Sequence, residues 1–131
     1  MLLQTLKYWK SFVLTAIICY LSFAQPSEFE KIPKIKIEHL DKIVHIIMYF
    51  ALTLTLLYEH KFHLKILPKV ALYISYPILL GGCIEIAQQS WFYPRTGEWV
   101  DWLADILGTI LALLIVYTFN KLKAKHEFRE P

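Results

Sequence analysis

Four long apolar runs, separated by short clusters of charged residues, constrain the fold of this chain more than any other feature. The runs cover residues 8–24, 40–58, 67–87 and 103–119, so each contains 17 to 21 residues. About 20 helical residues cross a hydrocarbon core that is ~30 Å thick. Because lipid offers no partner to an unpaired backbone group, such runs cross a bilayer as helices. The sequence therefore predicts an all-α, polytopic membrane protein, a bundle of four transmembrane helices forming one domain over residues 1–131.

Composition argues against a soluble domain and against a nucleic-acid-binding domain. Hydrophobic residues make up 56% of the 131 residues and charged residues only 19%, whereas an average soluble domain has about 25% charged residues. The net charge is +3 and the lysines flank the apolar runs without forming a stripe, so no nucleic acid partner is expected. Cys19 and Cys83 lie inside apolar runs and indicate neither a disulfide nor a thiolate metal site.

The distribution of lysine and arginine predicts the orientation, because cytoplasmic loops carry the excess of basic residues. Nine basic residues lie on the side that holds both termini and the loop after the second helix, and five lie on the opposite side. Both termini are therefore expected in the cytoplasm of a multi-pass protein of the cell membrane, with residues 120–131 as a short charged tail. Five aromatic residues would form a belt at the outer interface: Trp91, Phe92, Tyr93, Trp99 and Trp102.

The first apolar run allows a second interpretation. Lys7 and Lys10 precede a short apolar stretch that ends in Ser22, Phe23 and Ala24, a pattern that resembles a secretory signal with a small-residue cleavage site. The sequence leaves open whether the first helix is retained or cleaved. The other three helices keep their orientation in either case.

Polar side chains inside or beside the predicted helices are the candidate functional residues, because such groups are costly in a membrane and normally have partners. Asp41, His45 and Tyr49 follow one another at four-residue spacing and therefore share a helix face. His45, Glu85 and Asp105 belong to three different helices but lie at one depth, roughly one turn below the outer surface. This shared depth predicts one outward-facing polar pocket. The candidate binding residues are Asp41, Lys42, His45, Tyr49, Glu85, Gln88, Arg95, Asp101 and Asp105.

The chemistry of these residues permits a binding function as the first interpretation. Lys42, Arg95 and His45 can contact an anionic head group, and an arginine suits a phosphate through bidentate hydrogen bonds. The carboxylates of Glu85, Asp101 and Asp105 would hold these cations in place. The expected partners are membrane lipid and a lipid-linked or cell-wall precursor.

Two other interpretations stay open. His45, Glu85, Asp101 and Asp105 form a plausible ligand set for a divalent metal in a membrane-embedded enzyme, and His45 can alternatively act as a general base. The chain has no H-E-x-x-H motif and no recognised nucleophile, so a non-enzymatic function is favoured. The cluster can also be a purely structural ion-pair network, with Asp41 and Asp101 as helix caps. The sequence identifies no cofactor, ligand or oligomeric state.

The ordered polar residues resemble the signatures of the VanZ-like family of membrane proteins. The segment from Asp41 to Tyr49, followed by Leu52, is similar to the first signature. The second signature is matched in order by Glu85, Gln88, Pro94, Arg95, Asp101, Asp105 and Gly108. The chain departs from the family at Asp105, where Asn is common, and at Ala112, where Gly is common. The resemblance spans residues 40–112.

This resemblance implies a bacterial protein with four membrane helices and a function in the cell envelope. The founding member of the family is associated with resistance to the glycopeptide antibiotic teicoplanin. Most relatives lie outside resistance gene clusters, so an envelope function is expected first and a link to antibiotic resistance second.

Overall fold

Four helices make up nearly all of the computed structural model, which describes residues 6–24, 39–60, 67–91 and 97–127. Helix α1 covers Trp9–Phe23 and follows one short 3-10 turn at Leu6–Tyr8. The other helices are α2 at Leu40–Glu59, α3 at Leu67–Trp91 and α4 at Trp99–Glu127. The predicted all-α bundle of four helices is confirmed, and the described residues include no strand.

Helices α3 and α4 extend beyond their apolar runs, α3 at its C-terminal end and α4 at both ends. Helix α3 ends at Trp91 and not at residue 87, and α4 begins at Trp99 and not at residue 103. Helix α4 also continues to Glu127 instead of ending at residue 119, because no proline or glycine follows Gly108 before that point. The first part of the predicted charged tail is therefore helical.

Three helical segments of the described chain are long and apolar enough to cross a membrane, which makes this a multi-pass membrane protein. They are Leu40–Glu59, Ala71–Trp91 and Trp99–Lys125. Helix α1 is apolar but has 15 residues, which corresponds to about 22 Å at the usual helical rise. Only 28% to 33% of each spanning window is buried within the protein. Large apolar side chains therefore face outward, as a lipid-facing surface requires.

Helix α2 is the centre of the bundle and packs most extensively against α4. Thr53 of α2 donates a hydrogen bond to Thr109 of α4 over 3.3 Å, and both side chains are fully buried. Ala104 and Ala112 are buried on α4 at the spacing that predicts a close helix contact. The apolar core consists of Ile18, Tyr49, Leu52, Leu56, Leu57, Tyr73, Ile84 and Val116.

Helix α1 contacts the other helices through the apolar core and also through hydrogen bonds at its N-terminal end. The carboxylate of Glu59, the last residue of α2, accepts a hydrogen bond from the backbone N–H of Lys10 over 2.9 Å. The other oxygen of Glu59 accepts from the hydroxyl of Ser11 over 2.5 Å. A carboxylate at a helix N-terminus satisfies otherwise unpaired donors and is favoured by the helix dipole. These contacts join the start of α1 to the end of α2.

Candidate functional site

A lysine surrounded by three carboxylates lies where α2 and α4 begin. We call Asp41, Lys42, Glu98 and Asp101 the rim cluster. Lys42 Nζ lies close to an oxygen of each acid: Asp41 at 2.7 Å, Asp101 at 2.9 Å and Glu98 at 3.0 Å. An ammonium group has three N–H donors, and all three are used here. The predicted direct contact between Lys42 and an anionic ligand therefore does not fit this geometry.

A second group of ionisable residues lies about one helical turn further into the bundle. We call His45, Glu85 and Asp105 the inner cluster. His45 Nδ1 and Asp105 Oδ1 are 2.8 Å apart, and one ligand atom from each of the three residues lies within 4.8 Å of the others. Glu85 is 4% exposed and Asp105 only 1% exposed. The structure thus brings together the three residues that share one predicted depth.

Each carboxylate of the inner cluster has one oxygen that receives no hydrogen bond from the described residues. Glu85 Oε1 and Asp105 Oδ2 are buried and accept no hydrogen bond within the described structure. Buried acceptors are almost always paired in folded proteins, so two adjacent exceptions require an explanation. This arrangement can accept a cation or a proton, and it offers little to an anion.

The residues directly before α4 orient Glu85. The backbone N–H of Glu98, directly before α4, donates to Glu85 Oε2 over 2.7 Å. Gly97 lies so close to α3 that a Cβ atom there would collide with the backbone carbonyl oxygen of Glu85. Only glycine allows this approach without displacement of the backbone. The rim and inner clusters are therefore connected through Gly97 and Glu98.

The two helix-cap assignments are wrong in detail. The residue before α2 is His39, and Asp41 lies inside the first turn. Asp101 likewise lies in the first turn of α4, where its backbone N–H donates to the carbonyl of Glu98. Both acids lie near a positive helix end, and the carboxylate of each pairs with Lys42.

One predicted site residue lies below the inner cluster, one points away from it and one lies outside the described residues. Tyr49 shares the face of His45 and is 1% exposed within the apolar core, near enough to Asp105 and Glu85 to interact with them electrostatically. Gln88 donates through Nε2 to the backbone carbonyl of Ser22 at the end of α1 over 2.7 Å. Three residues after Glu85, Gln88 is rotated about 60° around the α3 axis, which turns it towards α1. Arg95 lies outside the described residues.

The predicted set of four metal ligands divides between the two clusters. Asp101 belongs to the rim cluster, where Lys42 already supplies a positive charge. His45, Glu85 and Asp105 remain together as a group that can hold a metal ion. The carboxylates of Asp41, Glu98 and Asp101 also lie within 4.8 Å of one another, but an ammonium group sits among them.

The sequence interpretation missed Glu98 and Gly97. Both precede the apolar run at residues 103–119, and that run is the sequence signal for α4. Glu98 itself was the available signal, because acidic residues are common where a helix begins. It directly precedes α4, which begins at Trp99. The contact between Gly97 and α3 had no sequence signal.

The predicted aromatic belt is only partly supported by side-chain exposure. Trp91 is 79% exposed and Trp99 is 61% exposed, as expected of residues at a membrane interface. Trp102 instead turns into the bundle, where its Nε1 donates to the carbonyl of Ile78 over 2.9 Å. Phe92 and Tyr93 lie outside the described residues.

An apolar cavity lies at the end of the bundle opposite the two acidic clusters. It measures about 330 Å³ and is lined by Tyr8, Ser11, Phe12, Leu56, Leu72, Tyr73 and Tyr76. Its lining has none of the candidate polar residues, so this cavity is not the predicted polar pocket.

Fold and site together define the class of this chain as a small multi-pass membrane protein with a buried acidic cluster at one end. Comparison of the chain with protein-family models, with curated proteins and with solved structures gives no match. The resemblance to VanZ-like membrane proteins therefore stays a prediction from the sequence.

Proposed function

We propose that this chain is a VanZ-like integral protein of the bacterial cell envelope that binds or positions a lipid-linked or cell-wall precursor at the rim and inner clusters. The observation that carries the proposal is the meeting of ionisable side chains from α2, α3 and α4 inside membrane-spanning segments. Ionisable residues at such positions are costly and usually mark a functional site. Well-packed apolar residues often serve stability as well as a buried ion pair does, so folding alone does not account for the site.

The proposed orientation places both clusters at the outer face of the cell membrane and both termini in the cytoplasm. It follows from the nine-to-five distribution of basic residues, and it requires the short helix α1 to cross the membrane with the others. Single cysteines in a background without Cys19 and Cys83 test it. Cysteines at Lys36 and Thr96 should react with an impermeant reagent from outside, and a cysteine at Lys61 should not.

A cysteine at Gln4 tests the crossing of α1 separately. With four crossings it is protected from the outside reagent. If it reacts from outside while Lys61→Cys stays protected, the membrane is crossed three times and the N-terminus lies outside. Reaction of Lys61→Cys from outside would overturn the whole orientation.

The described side chains limit how the precursor is bound. Lys42 donates all its N–H groups to carboxylates, and the described hydrogen bond of His45 is already made to Asp105. A phosphate group is therefore bound through Arg95, through the second ring nitrogen of His45 or through a cation held by the acids. A precursor that carries a free amine would bind the acids directly.

Binding of a lipid-linked pyrophosphate precursor to the protein in lipid nanodiscs tests the proposal. We expect saturable binding that Arg95→Ala and Glu85→Gln weaken at least tenfold. Glu59→Gln is the matched control, because it alters a buried carboxylate at the opposite end of α2. Equal binding by all four proteins, or none by the unaltered protein, would refute the proposal. The resistance link is tested separately. Expression of the protein should raise teicoplanin tolerance, and Glu85→Gln should remove that increase.

A membrane-embedded enzyme is the second candidate, and the pair of His45 and Asp105 is the observation that favours it. A carboxylate 2.8 Å from an imidazole nitrogen fixes the ring orientation, as in catalytic pairs in which histidine acts as general base. Release of phosphate from the same precursor, lost in His45→Ala, would identify an enzyme. Binding without turnover supports the non-enzymatic proposal.

A further inference from the structure

We propose that the inner cluster binds one divalent first-row metal ion through His45, Glu85 and Asp105. We propose further that this ion, and not Lys42, contacts the anionic part of the ligand. The second statement rests on the proposed function. The first does not, because it depends only on the geometry of the three side chains.

Two unpaired acceptor atoms are the starting point. Glu85 Oε1 and Asp105 Oδ2 are buried in side chains that are more than nine-tenths covered, and the described structure gives neither a donor. Each carboxylate uses its other oxygen, Glu85 towards the backbone N–H of Glu98 and Asp105 towards His45. One cation near both unpaired oxygens would satisfy them together.

In the rim cluster, the protein itself supplies the cation that balances the acids. There three carboxylates surround Lys42 Nζ at 2.7 to 3.0 Å. The inner cluster has two carboxylates and an imidazole, but no lysine or arginine among its described contacts. His45 is the one described member of this cluster that can become positively charged, so at least one of the two carboxylates lacks a cation, and a bound ion would supply that charge.

The ligand set fits a first-row ion better than calcium or magnesium. Calcium and magnesium are bound by oxygen ligands, whereas an imidazole together with carboxylates suits zinc, iron or manganese. The three donor atoms lie within 4.8 Å of one another, and two ligands of one such ion stand at most roughly 4.2 Å apart. Binding therefore requires these atoms to approach one another by up to roughly 0.6 Å, and it requires His45 to bind the ion through a ring nitrogen that does not donate to Asp105. Three protein ligands leave at least one position for water or a phosphate oxygen.

The surroundings restrict two of the proposed ligands. Glu85 is oriented by its hydrogen bond from Glu98, and metal-binding carboxylates are commonly oriented by a hydrogen bond of this kind. Asp105 lies directly against Gly81, where a Cβ atom would collide with Oδ2. A metal site on α2, α3 and α4 would therefore be largely formed before the ion arrives.

A proton shared between the two carboxylates is the competing explanation. It would also satisfy both unpaired oxygens, but it would bind no ion. Equilibrium dialysis of the full chain in detergent, stripped with a chelator and then given Zn²⁺ or Mn²⁺, separates the two. We expect one ion per chain. His45→Ala, Glu85→Gln and Asp105→Asn should each lower the affinity at least tenfold, and Glu59→Gln should not.

If a variant fails to fold, the metal affinity is measured instead on the unaltered protein. Bound metal is then followed as the chelator concentration is raised. No bound ion, or equal binding by all variants, would overturn the metal site and favour the shared proton. Precursor binding to the stripped protein separates the two proposals. If stripped and loaded proteins bind the precursor equally, the ion has no role in ligand binding while the proposed function stands. If the ion binds and no precursor does, the metal site stands and the proposed function fails.

Discussion

The rim and inner clusters begin within one turn of each other on α2, but the negative charge of their carboxylates is balanced in different ways. The rim cluster is partly exposed, with the side chain of Lys42 at 21% and that of Glu98 at 51%, and its own lysine balances its acids. The inner cluster is buried and lacks such a lysine in the described structure. Exposed pairs contribute little to stability, whereas unpaired acceptors in a buried site are costly. The acids of the rim cluster are therefore balanced within the protein, whereas the acids of the inner cluster still need a cation or a proton.

The substitution Gly97→Ala should have the largest effect, because it disrupts both clusters at once. The new Cβ atom would meet the carbonyl oxygen of Glu85, where backbone atoms on both sides cannot yield. We expect the protein to lose about 2 kcal/mol of stability, in the range of overpacked sites, and to lose its bound ion. Thermal unfolding in detergent measures the loss.

Gly82→Ala is the control for this substitution. A Cβ atom at Gly82 would meet only the side chain of Trp102, at 3.3 Å, and a side chain can move. The expected loss is correspondingly smaller. Equal effects of the two substitutions would show that Gly97 does not connect the clusters.

The substitution Lys42→Ala tests whether a cation is the only difference between the clusters. Without the ammonium group, the carboxylates of Asp41, Glu98 and Asp101 lie within 4.8 Å of one another with no positive partner. Metal dialysis should then detect a second, weaker ion, which raises the stoichiometry from one to about two. A stoichiometry that stays at one would mean that the rim carboxylates separate when Lys42 is removed.

The smallest effect is expected for Asp41→Asn. The side chain of Asp41 is 54% exposed, and Lys42 keeps its pairs with Glu98 and Asp101. Surface pairs of this kind contribute less than about 1 kcal/mol, so we expect the unfolding midpoint to stay nearly constant and the inner ion to remain. A large loss of stability or of the ion would show that the clusters depend on each other.

The sequence predicted most of the fold because membrane helices are encoded by length and hydropathy. The four runs located every helix, and the equal depth of His45, Glu85 and Asp105 indicated which residues would meet. What it missed depended on contacts between distant segments. The role of Glu98 followed from an early start of α4, and the orientation of Gln88 towards Ser22 followed from the position of α1.

The thermal response to Zn²⁺ tests the central claim most directly. In one protein the inner cluster is intact, and in the other it is replaced by His45→Leu, Glu85→Met and Asp105→Val. Since apolar replacements of buried charges often preserve stability, we expect both proteins to fold when the chelator is present. Free Zn²⁺ at about 100 times its dissociation constant should stabilise the intact protein by about 2.7 kcal/mol and leave the triple variant unchanged. An equal response of both proteins, or no response of the intact one, would contradict the account.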